Sequence, residues 1–203
     1  MTLPLYLAFV AAAAVLLIIP GPTVLLVIGY GLTEGRRSLG ALVCGVSLGD
    51  ALALTGSVAG LGAVLAASAA AFAVLKYCGA VYLVYLGWTM LRSKGAEATP
   101  QPARSPRRTF THAFAVTAAN PKSILFFVAF LPQFVNSAQP AGRQLVLLGA
   151  TFVLLSAINT ATYAALAASA GSRLQNARRL SGLTRLGGGV AIGAGLLTAM
   201  SKR

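Results

Sequence analysis

Only three acidic residues occur in the 203-residue chain, and one of them, Asp50, stands inside an apolar run, GVSLGDALALTG at 45–56. Glu34 and Glu97 fall in polar gaps. Lys122, in TAANPKSILFF at 117–127, is the only other deeply placed charge. A charge at mid-membrane costs about 2.5–3.5 kcal/mol on insertion scales, so an ionisable residue kept there marks function. A carboxylate in that setting can carry a proton through a transport cycle, bind a substrate ammonium, or pair with Lys122; the residues leave these open. Polar neighbours share its surroundings. Ser47, Asp50 and Ser57 lie on one helical face. Ser156, Asn159, Thr160 and Tyr163 repeat that spacing further along and are expected to line a pathway. Taken singly, such residues also serve as interhelical glue.

Two proline breaks interrupt the apolar runs. The first is Pro20, Gly21 and Pro22 within LLIIPGPTVLLV at 16–27; the second is Asn120, Pro121 and Lys122. Proline inside a helix removes a hydrogen bond and clashes with the preceding turn, yet it suits the first helical position. Pro22 is therefore expected to restart one helix after a turn at Gly21, and Pro121 to restart another under an Asn120 cap. Backbone freed at membrane depth is tolerated only inside protein or beside a wet cavity. Each restarted helix directs N–H groups and a positive dipole end into the interior. If the two converge, Lys122 and the helix starts at Pro22 and Asn120 are suited to a substrate carboxylate.

The elements that hold these residues are long and apolar. The chain is 57% hydrophobic and 9% charged, with mean hydropathy +0.80; a soluble domain carries about 25% charged residues. Six segments, 3–32, 39–65, 69–91, 110–135, 145–170 and 183–200, meet the length of a membrane helix. The expectation is an all-α membrane protein of six transmembrane helices forming one domain, with helices 1 and 4 discontinuous. A Pro-, Ser- and Arg-rich stretch, 93–109, reads as a flexible cytoplasmic linker between halves 1–92 and 110–203. Three spans per half force the second half to enter the membrane in the opposite sense, so the breaks at matching spans point to a 3+3 inverted repeat.

The formal charge of +13 lies in the gaps between spans, which argues for topology and against nucleic acid. Arg36 and Arg37, the linker group of Arg92, Lys94, Arg104, Arg107 and Arg108, and the later group of Arg173, Arg178, Arg179 and Arg185 fall on one side. Both termini are thereby placed outside the cytoplasm. The first basic residue is Arg36, so 3–19 reads as a retained helix and not as a signal peptide. Arg178 and Arg179 can meet anionic lipid, and Lys76 near the outer face can snorkel. The Gly-xxx-Gly pairs 45/49, 56/60 and 189/193 signal close helix packing.

No enzyme, cofactor or metal pattern is present. His112, the only histidine, has no Ser or Cys partner legible in sequence, and there is no phosphate loop. Cys44 and Cys78 lie in different runs and read as small packing residues. A thiol-based transmembrane electron carrier using them, a metal-ion exporter of similar architecture and a non-transporting scaffold are the rival readings.

Several stretches resemble the LysE/RhtB family of bacterial amino-acid exporters, the lysine exporter and homoserine/threonine resistance family. They are the early PGP at 20–22, GVSLGD at 45–50, KYCGAVYLVYLG at 76–87 and NPKSILFFVAFLPQF at 120–134. The resemblance spans nearly the whole chain. It implies an exporter of amino acids or similar small metabolites in the bacterial inner membrane, driven by proton antiport. Carried over, Pro20–Pro22, Asp50 and Asn120–Lys122 fall on the family's motif positions. Ala113 stands where the family often has glycine and Thr117 where it often has asparagine, one turn before Asn120, a place able to alter substrate preference. Which amino acid is carried is left open, as is the oligomeric state, a homo-oligomer included.

Overall fold

Proline and glycine divide the apolar sequence into its helices. A computed structural model of the chain describes residues 1–67, 99–136 and 138–170, with isolated positions in 74–92 and 189–193. Helix α1 is Leu3–Ile18 and α2 is Pro22–Glu34. A 3₁₀ turn, Gly35–Ser38, leads into α3, Leu39–Ala67. Helix α4 is Pro106–Ala118 and α5 the short Pro121–Leu125. α5 continues as a π-helical turn, Phe126–Phe130, and a 3₁₀ turn, Leu131–Phe134. The long α6 is Ala141–Ala170. No strand occurs among the described residues.

Three apolar stretches among the described residues are long enough to cross a membrane: Pro22–Gly60, Pro106–Phe134 and Ala141–Ser169. The first has 39 residues, which as one straight helix would be about 58 Å long at 1.5 Å per residue. That is nearly twice a hydrocarbon core of about 30 Å. It is folded at Gly35, whose φ of 61° with ψ of −144° is open to glycine and strained for other residues.

Contacts fix the running directions. Tyr6 Oη meets Thr151 Oγ1 at 3.1 Å, Tyr163 Oη donates to the Ile18 carbonyl, and Gly31 lies against Ala164 and Ala167. α1 and α2 therefore follow one another along α6 in the same sense, as a single interrupted span. α3 runs against α6, with Asp50 on Ser156 and Leu54 on Gly149. It runs alongside α4, where a Cβ at Gly45 would stand 2.7 Å from the Phe110 carbonyl oxygen and one at Gly49 2.8 Å from that of Phe114. The Gly45/Gly49 pair thus brings two backbones into contact; Gly56 and Gly60 have nothing within 4 Å among the described residues.

Two apolar clusters bracket the middle of the bundle. One is aromatic: Phe127 and Phe152 meet edge to face at 4.7 Å between centroids, and Phe126 stacks on Phe130 at 5.6 Å, with Phe9 completing the group. The other joins Leu26, Val27, Tyr30, Leu42, Val46, Ala113 and Ala164.

Two expectations change. The fourth span begins at Pro106, inside the stretch 93–109 assigned to the linker, because Ser105 is extended and Pro106 takes a first-turn position. The part of the linker at 99–104 is seated on α2: Gln101 N donates to the Gly29 carbonyl at 3.4 Å and Arg104 N to Glu34 Oε1 at 2.8 Å. The expected sixth span, 183–200, and most of the third, 69–91, lie outside the described residues, as do Lys76 and Cys78.

Candidate functional site

Both breaks form where the prolines stand. α1 ends at Ile18, Gly21 is extended, and α2 starts on Pro22. α4 ends at Ala118, and Asn120 caps α5, its Oδ1 accepting from Lys122 N at 3.0 Å. Asn120 also turns outward from its own chain: Nδ2 donates to Thr23 Oγ1 at 3.0 Å, and Thr23 Oγ1 lies 3.3 Å from Thr117 Oγ1. The two interruptions are therefore bonded to each other, though about a hundred residues separate them in sequence.

Lys122 fixes the junction more firmly. Its Nζ donates to the carbonyls of Leu16 and Ile19, both at 2.7 Å. The last carbonyls of any helix lack intrahelical partners, and at membrane depth they need replacements. Asn159 Nδ2 supplies another to Leu17 O at 3.1 Å, and Tyr163 Oη one to Ile18 O at 2.8 Å. Across the junction Asp50, 2% exposed, accepts from Ser156 Oγ at 2.5 Å. Ser123 and the Lys122 ammonium also act on its carboxylate.

These groups enclose a cavity of about 30 Å³. α1 and α2 contribute Leu17, Gly21, Thr23, Val24 and Val27; α3 contributes Asp50; the second break contributes Asn120, Lys122 and Ser123; α6 contributes Ser156, Asn159, Thr160 and Tyr163. Space for one water takes about 10–15 Å³ on this measure, so the cavity admits about two and no amino acid. Among the described residues, packed groups flank the site on two sides. On one side lies the Phe126–Phe152 cluster. On the other, Tyr30 Oη bonds His112 Nδ1 at 2.9 Å beneath the 99–104 strap.

Eight sequence-selected residues, Gly21, Asp50, Asn120, Lys122, Ser156, Asn159, Thr160 and Tyr163, meet at this cavity. Pro20, Pro22 and Pro121 shape the breaks without lining it. Ser47 is not in the lining; its Oγ is buried without a described partner. Sequence reasoning passed over Thr23 and Ser123. Their signal was position, since each lies in the first turn of a restarted helix. Cys44 is free and exposed on α3, and no group of three or more metal-ligating side chains occurs among the described residues.

A family model described as LysE type translocator matches residues 14–202. The chain belongs to this family. As a LysE type translocator it is a transporter and not an enzyme. An uncharacterized membrane protein of Vibrio cholerae is 34% identical over 205 residues, covering 100% of both chains. A homoserine/homoserine lactone efflux protein of Salmonella typhi is 29% identical over 204 residues, covering 100% of this chain and 99% of its own. A leucine efflux protein of Klebsiella pneumoniae is 29% identical over 158 residues, covering 74% of the translocator and 73% of the relative. No solved structure matches the translocator significantly.

Proposed function

We propose that the cavity is the substrate site of a secondary active exporter, which moves amino acids or related small metabolites across the bacterial inner membrane by proton antiport. The observation that carries this reading is the meeting of two interrupted spans around one buried acid and one buried lysine. A zwitterion needs a cationic partner for its carboxylate, and the buried Lys122 is one. The names of the relatives, which include homoserine/homoserine lactone and leucine efflux proteins, favour a neutral amino acid. Lys122 is the partner for the substrate carboxylate, and Asp50 carries the counter-transported proton. The prolines at 20, 22 and 121 keep the breaks open, and the Ser156, Asn159 and Tyr163 face lines the route.

Six spans in a 3+3 inverted repeat, with both termini outside the cytoplasm, complete the proposal. The directions of α1–α2, α3, α4–α5 and α6 suit it, and so do the breaks in the first and fourth spans. Since the cavity is too small for an amino acid, transport requires it to open alternately past the aromatic cluster and past the 99–104 strap.

Asp50→Asn tests the proton role. Asparagine keeps an acceptor for Ser156 and removes the charge. In proteoliposomes loaded with leucine or homoserine, the variant is expected to retain exchange and to lose acceleration by a pH gradient at least tenfold, about 1.4 kcal/mol. Gradient-driven efflux at the wild-type rate would remove Asp50 from coupling.

A further inference from the structure

The end of α1 is finished in an unusual way. Its last four carbonyls, Leu16 to Ile19, each accept from a side chain of the second half of the chain. Two of the four accept from one ammonium, that of Lys122. A helix C-terminus carries roughly half a negative charge, which favours a cation there. We propose that these carbonyls form the receptor for the substrate's primary ammonium group, and that Lys122 occupies the receptor while the carrier is empty. This rests on the exporter reading and assigns the substrate's second charged group.

The chemistry of the occupant supports the assignment. The end of a lysine side chain is a carbon bearing –NH₃⁺ with three donors. The α-carbon of an amino acid presents the same group. Nζ spends two donors on Leu16 and Ile19 and lies at the wall of the cavity that also contains Gly21 and Asp50. Gly21 leaves the approach clear; even a Cβ there would come only to 3.5 Å from Nζ. The contacts with Leu16 and Ile19 are buried, whereas that of Tyr163 with Ile18 lies at the exposed rim. The inner two carbonyls are therefore the ones to be exchanged.

Substitution of one ammonium for another balances charge at each stage. In the empty carrier Lys122 satisfies the Leu16 and Ile19 carbonyls. When an amino acid enters, its ammonium takes over Leu16 O and Ile19 O. The displaced Lys122 turns to the adjacent carboxylate of the same molecule. The incoming zwitterion adds no net charge, and Asp50 keeps its separate proton duty. A molecule without a primary ammonium cannot release Lys122, so it is refused.

The test begins with Lys122→Ala, which empties the receptor. Thermal unfolding of the purified variant is measured with propylammonium and with tetramethylammonium, which has no N–H donor. Propylammonium is expected to raise the melting temperature of the variant by several degrees and to leave the wild type unchanged. Tetramethylammonium is expected to move neither. Equal shifts with both cations, or no shift in a folded variant, would overturn the proposal. Should the variant not fold, wild-type leucine exchange is challenged with leucine and with its α-hydroxy analogue. The analogue is expected to compete at least about tenfold more weakly, and equal competition would refute the receptor. The two readings separate cleanly. Transport of leucine or homoserine with equal competition by the analogue removes the receptor alone. Stabilisation of Lys122→Ala by propylammonium, when the wild type transports neither amino acid, keeps the receptor and removes the reading of leucine and homoserine as cargo.

Discussion

Asn120 holds the two breaks together with one side chain, and that makes its removal calculable. Its Oδ1 caps Lys122 N and its Nδ2 bonds Thr23 Oγ1, each at 3.0 Å, in a residue that is 3% exposed. Asn120→Ala removes both contacts. Loss of an N-cap costs about 0.5–2 kcal/mol, and the lost bond to Thr23 adds about 0.5–1.5 kcal/mol. Thr23 keeps Thr117 at 3.3 Å, which limits the second amount. A total of about 1–3 kcal/mol lowers the melting temperature of a chain this size by about 2–12 °C. Asn120→Ser keeps a capping oxygen but is too short to reach Thr23, so it should lose about half as much. Thermal unfolding of the purified variants in one detergent reads both numbers. An Asn120→Ala melting temperature within about 2 °C of wild type, or a serine variant as damaged as the alanine one, would refute the argument that this residue joins the breaks.

Other consequences follow from the backbone contacts and the strap. Gly49→Val sets side-chain carbon where even a Cβ stands 2.8 Å from Phe114 O and from Thr117 Cβ, and should cost about 1–3 kcal/mol of stability. Gly40→Ala, with no neighbour within 4 Å among the described residues, should leave melting unchanged or slightly raised. Glu34→Gln weakens the carboxylate that accepts from Arg104 N at 2.8 Å and from Thr109 Oγ1 at 3.4 Å. A Gln101→Cys reporter, in a background without Cys44 and Cys78, should then react with maleimide several-fold faster. An unchanged labelling rate would mean that Glu34 does not hold the strap closed.

Local chemistry made much of the frame legible. Proline cannot sit in a helix interior, so the restarts at Pro22 and Pro121 could be read directly, and Asn120 before a proline announces a cap. The α6 face of Ser156, Asn159 and Tyr163 follows from helical spacing alone. A lone acid in an apolar run, Asp50, draws attention for energetic reasons. What could not be read depends on contacts across the whole chain. Sequence reasoning turns Lys122 toward a substrate carboxylate, whereas it caps carbonyls more than a hundred residues away. Nothing in a Pro- and Arg-rich stretch says that Gln101 will meet Gly29, because that partner is chosen by packing. The π-helical turn at Phe126–Phe130 is likewise invisible in a run of apolar residues, since the aromatic contacts with Phe9 and Phe152 are nonlocal.

The central claim is that a substrate sits where the two interrupted spans meet. An experimental structure of the purified translocator saturated with leucine or homoserine tests it most directly. The account predicts density for the amino acid between Lys122 and the end of α1, beside Asp50, in a cavity widened from about 30 Å³. Density for the amino acid elsewhere, with the Thr23–Asn120 junction closed and Lys122 still on Leu16 and Ile19, would contradict it.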